Sequence, residues 1–116
     1  MSEICISTDK QETRKLYEEA FDDPKVYVDY YYAEKCRDNT VVVCKEEGEV
    51  ISMLHLNPYV LNICGKKAKC YYVVAVATKE SYRRKGYMSK VFEKAFELMK
   101  KEQIPFYHSP RHLLSF

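Results

Sequence analysis

Residues 73–88 read VVAVATKESYRRKGYM, and this stretch decides the fold. Its first part is apolar and predicts a buried strand, which a short polar turn follows. The turn runs into a basic loop with a single glycine, Gly86, and an amphipathic helix begins directly after it. Unpaired backbone N–H groups and the positive dipole at the start of such a helix attract anions. The stretch therefore predicts a phosphate or pyrophosphate site at a strand–loop–helix junction.

The size and charge of the chain limit the classes of protein to which it can belong. Its 116 residues predict a single domain, 1–116, that is large enough to bury a core. A net charge of +2 is too small for a protein that binds nucleic acid through its overall charge. The longest apolar run, 71–77, is far too short to span a membrane, and the chain begins without a signal-peptide pattern. We therefore expect a cytoplasmic protein that engages neither nucleic acid nor membrane.

The cysteine pattern favours reduced thiols over disulfides or a metal site. The five cysteines are an odd number, and no Cys-x-x-Cys pair is present. None of the usual zinc-ligand spacings appears, so we expect no bound metal. Free thiols are typical of the reducing cytoplasm. The positions concerned are Cys5, Cys36, Cys44, Cys64 and Cys70.

Turn and capping residues divide the chain into elements in the order β, α, α, β, β, β, α, β. Thr8 or Asp9 can cap the first helix, and Asp23 followed by Pro24 is a start signal for the second. Asn57-Pro58 is expected to break or bulge the strand that 59–64 continues. The predicted strands cover 4–7, 40–45, 50–56, 59–64, 70–77 and 106–109. The first predicted helix ends near residue 21, and the other two span 25–35 and 87–102.

The central strand and the last helix are the clearest elements. Residues 70–77 lack polar alternation, which indicates a strand covered on both faces. The helix over 87–102 has apolar residues at helical spacing and charged residues on its opposite side. The predicted inner residues of this helix are Met88, Val91, Phe92, Ala95, Leu98 and Met99.

The basic loop carries a family resemblance. Residues 83–88 read RRKGYM, which resembles the acetyl-CoA signature Arg/Gln-x-x-Gly-x-Gly/Ala of the GNAT (GCN5-related) N-acetyltransferases. Met88 stands where many members have Gly or Ala. The wider segment 82–88 is most similar to the N-terminal GNAT domain of multidomain proteins related to the enhanced intracellular survival acetyltransferases. The resemblance covers about 1–109 and is strong in 71–104. It implies an α/β GNAT-like mixed sheet flanked by helices.

The resemblance also implies a cofactor site for acetyl-CoA. In the family, the signature loop holds the pyrophosphate with main-chain amides, and the end of the preceding strand pairs with the pantetheine arm through its open backbone edge. Gly86 would let the backbone approach the ligand closely. The matching positions are Val76, Ala77 and Thr78 on the strand, and Arg83, Arg84, Lys85, Gly86, Tyr87, Met88 and Ser89 in the loop and helix.

Catalytic groups are less evident than the cofactor site. Acetyl transfer to an amine needs a route for the proton of the amine. Glu49 at the mouth of a strand and His55 within it are the candidates, and a structural role is the alternative for His55. The resemblance implies a further helix with a tyrosine acid and two more strands after the fifth strand, so we expect a fold that is incomplete at its C-terminus. Tyr107, His108 and His112 receive no catalytic role. An exposed sheet edge would favour a homodimer.

Three functions remain open at this point. The favoured one is an N-acetyltransferase that transfers an acetyl group from acetyl-CoA to an amine. A non-catalytic acyl-CoA-binding or regulatory module is the alternative. A nucleic-acid-associated protein is the third, and it would use Lys66, Lys67, Lys69, Arg83, Arg84 and Lys85. The acceptor amine is not identified by the sequence. The tyrosines at 27, 30, 31 and 32 can either line its cleft or pack in the core.

Overall fold

The computed structural model describes residues 2–102 and 106–108, and the observed order of elements is the predicted one. Short 3-10 turns precede α1, follow α2 and precede α3. The elements are β1 (Ser2–Ile6), α1 (Arg14–Ala20), α2 (Lys25–Glu34), β2 (Thr40–Glu46), β3 (Glu49–Ile63), β4 (Lys66–Thr78), α3 (Tyr87–Glu102) and β5 (Phe106–His108). The predicted strand end at Ser109, as well as Pro105 and His112, lies outside the described residues.

The strands form one sheet in the order β1-β2-β3-β4-β5. Neighbours from β1 to β4 are antiparallel, whereas β5 pairs with β4 in parallel through the crossover helix α3. The predicted mixed sheet flanked by helices is therefore confirmed. None of the helices within 2–102 is long and apolar enough to cross a membrane.

Two tight turns fix the register of the antiparallel strands. Residues 47 and 48 connect β2 to β3, and residues 64 and 65 connect β3 to β4. All four have positive φ, including Gly48 at 83° and Gly65 at 79°. Left-handed backbone at both central positions matches the twist of the flanking strands, and glycine adopts it at little cost.

Pro58 does not interrupt β3, in contrast to the break or bulge predicted there. The strand is continuous from Glu49 to Ile63, and Pro58 pairs with Tyr71 of β4. The last β3 residue that pairs with β2 at this end is Leu56, opposite Thr40. Because Pro58 lies beyond the end of β2, no described strand on that side requires an N–H donor from it.

The helices cover the sheet on both faces and create two hydrophobic cores. The first two helices cover one face, where Tyr17 and Tyr31 pack against Val41, Met53 and Val74. The last helix covers the other face, and the predicted inner residues Met88, Val91, Ala95 and Met99 are buried there, with Phe92 and Leu98 partly buried beside them. Residues 73–78 of β4 are buried from both sides, as the apolar sequence of this strand predicts.

The helix starts differ in detail from the predicted caps. The Asp9 carboxylate accepts a hydrogen bond from the Gln11 N–H at 3.2 Å, but it caps the 3-10 turn before α1 rather than α1 itself. Pro24 occupies the cap position of α2. The Asp23 carboxylate instead accepts a hydrogen bond from the Tyr17 hydroxyl at 2.7 Å, which ties the connection between the two helices to the core.

Candidate functional site

A β-bulge interrupts the middle of β4. Met53 pairs with Ala77 but His55 pairs with Val74, so Leu54 alone stands opposite two residues of β4. Ala75 has a φ of 53°, a left-handed conformation that is uncommon for a residue with a side chain. Val74 and Ala75 consequently both pack on the face covered by α1 and α2. A bulge of this kind bends the strand and is often found beside an active site.

Beyond the bulge, one backbone edge of β4 has no strand partner among residues 2–102 and 106–108. Strand β5 pairs only with residues 71–73, and no described strand continues that pairing along 74–78. The side chains of Val76, Ala77 and Thr78 are fully buried, and Thr78 Oγ1 lies 3.0 Å from Ser52 Oγ. Only the main chain of these three predicted site residues is therefore available to a ligand. An extended molecule could pair with such an edge as an added strand does.

The loop after β4 reaches the start of α3 through sharply turned backbone. Arg84 has a φ of 64° and Gly86 a φ of 85°, and α3 begins at the next residue, Tyr87. The first N–H groups of a helix have no partner within it, and left-handed residues beside them turn neighbouring N–H groups towards a common point. A Cβ atom added at Gly86 would meet nothing within 4 Å, so open space adjoins the backbone there.

Side chains anchor this loop and leave its basic face exposed. The Arg83 guanidinium donates from Nε to the Thr78 carbonyl oxygen at 3.0 Å, which ties the loop to the end of β4. Lys85 Nζ lies 5.8 Å from the centre of the Tyr82 ring. Arg84, Lys85, Gly86 and Ser89 are exposed, and Tyr87 is half-buried.

Met88, the remaining predicted site residue of the loop and helix, points away from the loop. Its side chain is buried in the core under α3. Only its backbone can therefore face a ligand at the loop.

The candidate base Glu49 is engaged in an ion pair. Its carboxylate lies 2.6 Å from Lys79 Nζ, and this partner lowers the pKa of Glu49. Lowering the pKa of a carboxylate weakens it as a general base. The structure therefore gives Glu49 a different role, because it joins the start of β3 to the end of β4.

His55, the other candidate base, lies wholly inside the protein. Its ring is fully buried beneath α2, and Nδ1 lies 2.8 Å from the Tyr31 hydroxyl. Asn39 Nδ2 is 3.4 Å from the same nitrogen and donates to Asn57 Oδ1 at 2.9 Å. These contacts favour the structural role, since a direct base would have to touch the substrate.

A cavity of about 440 Å³ lies between α2 and the strands β3 and β4. We call it the tyrosine cavity, because four tyrosine side chains contribute to its walls. Of the tyrosines at 27, 30, 31 and 32, Tyr27 and Tyr31 line it, Tyr32 is core and Tyr30 is half-exposed outside it. Its lining residues are Tyr27, Tyr31, Glu34, Lys35, Asp38, Asn57, Pro58, Tyr59, Tyr72 and Val74. The sequence does not predict Tyr59 and Tyr72 in this cavity, because only strand pairing places them beside α2.

The basic residues named for nucleic-acid binding do not form one patch. Lys66 and Lys67 begin β4, whereas Arg83, Arg84 and Lys85 follow its other end. A strand rises about 3.3 Å per residue, so the two groups lie roughly 40 Å apart along the thirteen residues of β4. This separation weakens the third functional alternative.

Comparison with known proteins gives one family and a consistent fold. Residues 6–108 match the profile of the Acetyltransferase (GNAT) domain family. No curated protein matches the chain closely enough in sequence to be counted as a relative.

Several solved structures share the fold at low sequence identity. A probable N-acyltransferase from Enterococcus faecalis has a TM-score of 0.85 and 16% identity, with 95% of this chain and 29% of that chain covered. Glucosamine-6-phosphate N-acetyltransferase from Arabidopsis thaliana has a TM-score of 0.71 and 16% identity, with 94% of this chain and 82% of that chain covered. Ribosomal-protein-alanine N-acetyltransferase from Brucella melitensis has a TM-score of 0.70 and 14% identity, with 94% of this chain and 80% of that chain covered. The chain thus spans less than a third of the first of these structures.

Proposed function

Because the chain belongs to the GNAT acetyltransferase domain family, we propose that it binds acetyl-CoA and transfers the acetyl group to an amine. One observation carries the proposal: the open edge of β4 leads directly into the turned loop before α3. In CoA an extended pantetheine arm is joined to a pyrophosphate. The arm would require the open edge and the pyrophosphate would require the loop, in this order. Acetyl transfer is the general chemistry of the family, whereas the acceptor is specific to each member.

The residues present fit such a ligand. The backbone of 84–89 would hold the pyrophosphate, since open space adjoins Gly86 and the helix start supplies N–H donors. Exposed Arg84 and Lys85 would add positive charge. The main chain of Val76, Ala77 and Thr78 would pair with the pantetheine arm, while Arg83 holds the loop in place.

The chemistry itself is a single displacement. The amine nitrogen forms a bond to the acetyl carbon, the C–S bond breaks, and the proton of the amine is lost as the CoA thiolate gains one. Holding both reactants at the bulge would supply most of the acceleration. A module that binds acyl-CoA without turnover remains the alternative, because Glu49 is ion-paired and His55 is buried. An acetyl-CoA assay with a panel of amines separates the two.

We propose a cytoplasmic location, a relation to the enhanced-intracellular-survival type of GNAT domain, and a homodimer. Exposed apolar side chains, including Val26 and Val60, are compatible with association between chains. Sedimentation at micromolar concentration tests the homodimer, and a single species of 13.7 kDa would contradict it.

The decisive experiment compares two glycine variants by isothermal titration calorimetry with CoA. Gly86→Asp should abolish binding, because it places a side chain and a negative charge against the pyrophosphate. Gly65→Asp is the matched control, since Gly65 has a φ of 79° and equally open surroundings but lies in the turn at the far end of β4. Unchanged CoA affinity in Gly86→Asp, with a folded protein, would refute the site.

A further inference from the structure

The tyrosine cavity adjoins the point where the proposed reaction would occur. Val74 lines the cavity and stands at the bulge, where the open edge of β4 begins. The inference below rests on the proposed function, because it concerns the acceptor of the same site. An amine that occupies this cavity would reach the acetyl group from the side covered by α2.

The walls of the cavity suit an unbranched apolar chain. The rings of Tyr27 and Tyr31 lie nearly parallel, with centres 6.4 Å apart, and those of Tyr59 and Tyr72 are 6.2 Å apart. Aromatic faces pack well against methylene groups and attract ammonium groups through cation–π interactions.

Two polar groups in the inner part of the cavity are already engaged in hydrogen bonds. The Tyr31 hydroxyl already contacts His55, and Asn57 Oδ1 accepts from Asn39. These two groups are therefore less available to a polyhydroxylated acceptor, and any hydroxyl group that it buried without a partner would be costly.

Negative charge lies at the end of the cavity away from the bulge. Asp38 precedes β2 by two residues, beside Pro58, and it makes no ion pair with the described residues. The other lining carboxylate, Glu34, is 3.2 Å from Arg37, which leaves Asp38 as the carboxylate without an ion pair among the described lining residues. Lys35 also lines the rim. The bulge and this end of the cavity are about 10 Å apart, because His55, which is paired with Val74, is three strand positions from Pro58.

These features suit an acceptor with a cation at one end and a reactive amine at the other. We propose that the acceptor is a linear alkyl diamine or polyamine. Its distal ammonium binds Asp38, its methylene chain lies along the tyrosine rings, and its near amine attacks the acetyl carbon beside Val74. The C–N bond forms as the C–S bond breaks, CoA leaves as its thiolate, and the proton that the near amine loses is balanced by the one that the thiolate gains.

The test uses two ligands with the same five-carbon chain, cadaverine and pentylamine, which lacks the second amino group. Calorimetry with CoA present, so that no reaction occurs, should show cadaverine binding about fivefold more tightly, as expected for one partly exposed ion pair. Asp38→Asn should reduce this preference to about one. Asp22→Asn, an exposed carboxylate outside the cavity, should leave it intact. Tyr59→Ala should weaken both ligands, since the wall contacts both chains.

Each outcome decides a separate point. CoA binding without any preference for cadaverine would overturn the acceptor inference and leave the proposed function standing. Tighter binding of glucosamine than of cadaverine would also overturn it. Failure of CoA itself to bind would instead refute the proposed function. A cadaverine preference that Asp38→Asn does not alter would contradict the assigned anchor.

Discussion

The Tyr31 hydroxyl lies 2.8 Å from Nδ1 of His55, in the interior between α2 and β3. His55 is fully buried and Tyr31 is almost so. Burial raises the pKa of Tyr31 well above its usual value, so the hydroxyl stays protonated at neutral pH. The pair joins a helix to the strand that stands opposite the bulge of β4, so it supports one wall of the tyrosine cavity.

Loss of this hydrogen bond should destabilise the protein. Tyr31→Phe keeps the ring but leaves a buried imidazole nitrogen without its hydroxyl partner, which typically costs about 1–3 kcal/mol. Tyr30→Phe is the matched control, because Tyr30 is half-exposed and its change should stay within about 0.5 kcal/mol. Urea unfolding of both variants measures the difference. Equal midpoints for the two would contradict the structural role of the pair.

The ion pair between Glu12 and Lys45 should make stability depend on pH. Burial opposes ionisation of Glu12, but hydrogen bonds from Lys45 at 2.7 Å and Ser7 at 2.5 Å outweigh it, so the pKa of Glu12 is lowered. A lowered folded-state pKa gives stability above the unfolded value near 4.5, and this stability is lost as pH falls below it.

We expect Glu12→Gln to reduce the loss of unfolding free energy between pH 5 and about pH 3. Lys45→Gln should reduce it in the same direction, because it removes the main stabilising partner of the carboxylate. Denaturant unfolding over a pH series gives both slopes. A slope equal to that of the parent protein in either variant would exclude this pair as a source of the pH dependence.

Arg83 should act on CoA binding through the loop rather than through its charge. Its hydrogen bond to the Thr78 carbonyl holds the start of the loop. Arg83→Ala should therefore weaken CoA binding several-fold and speed amide exchange in 83–87. Arg84→Ala, which removes an exposed charge, should weaken binding without faster exchange, and by less than Gly86→Asp. Unchanged exchange in Arg83→Ala would show that the arginine does not position the loop.

The cysteines should react at different rates in the folded protein. Cys64 is exposed in the turn between β3 and β4, whereas Cys36, Cys44 and Cys70 are buried. Burial raises the pKa of Cys36 and Cys44, which lowers their reactivity further. We expect one fast thiol in the native state and five in denaturant, with the fast phase lost in Cys64→Ser and kept in Cys70→Ser. A denatured count of three or one would indicate disulfides.

The sequence by itself determined the local features of this protein. The apolar run of β4, the basic loop and the period of α3 are encoded in windows of about fifteen residues, because burial pattern and turn chemistry act locally. The two glycine turns are likewise local, since left-handed backbone is required where they occur. These signals were sufficient to predict the order of elements and to propose the cofactor loop.

Tertiary structure alone decided the bulge in β4, the burial of His55 and the tyrosine cavity. Nothing near Ala75 marks a bulge, because neither glycine nor proline occurs there, and the extra residue is defined only by the pairing with β3. The burial of His55 depends on Tyr31, twenty-four residues away. Tyr27, Tyr59 and Tyr72 form one cavity only because α2 packs over two paired strands. Such contacts depend on register and packing between distant segments, which no single stretch of sequence specifies.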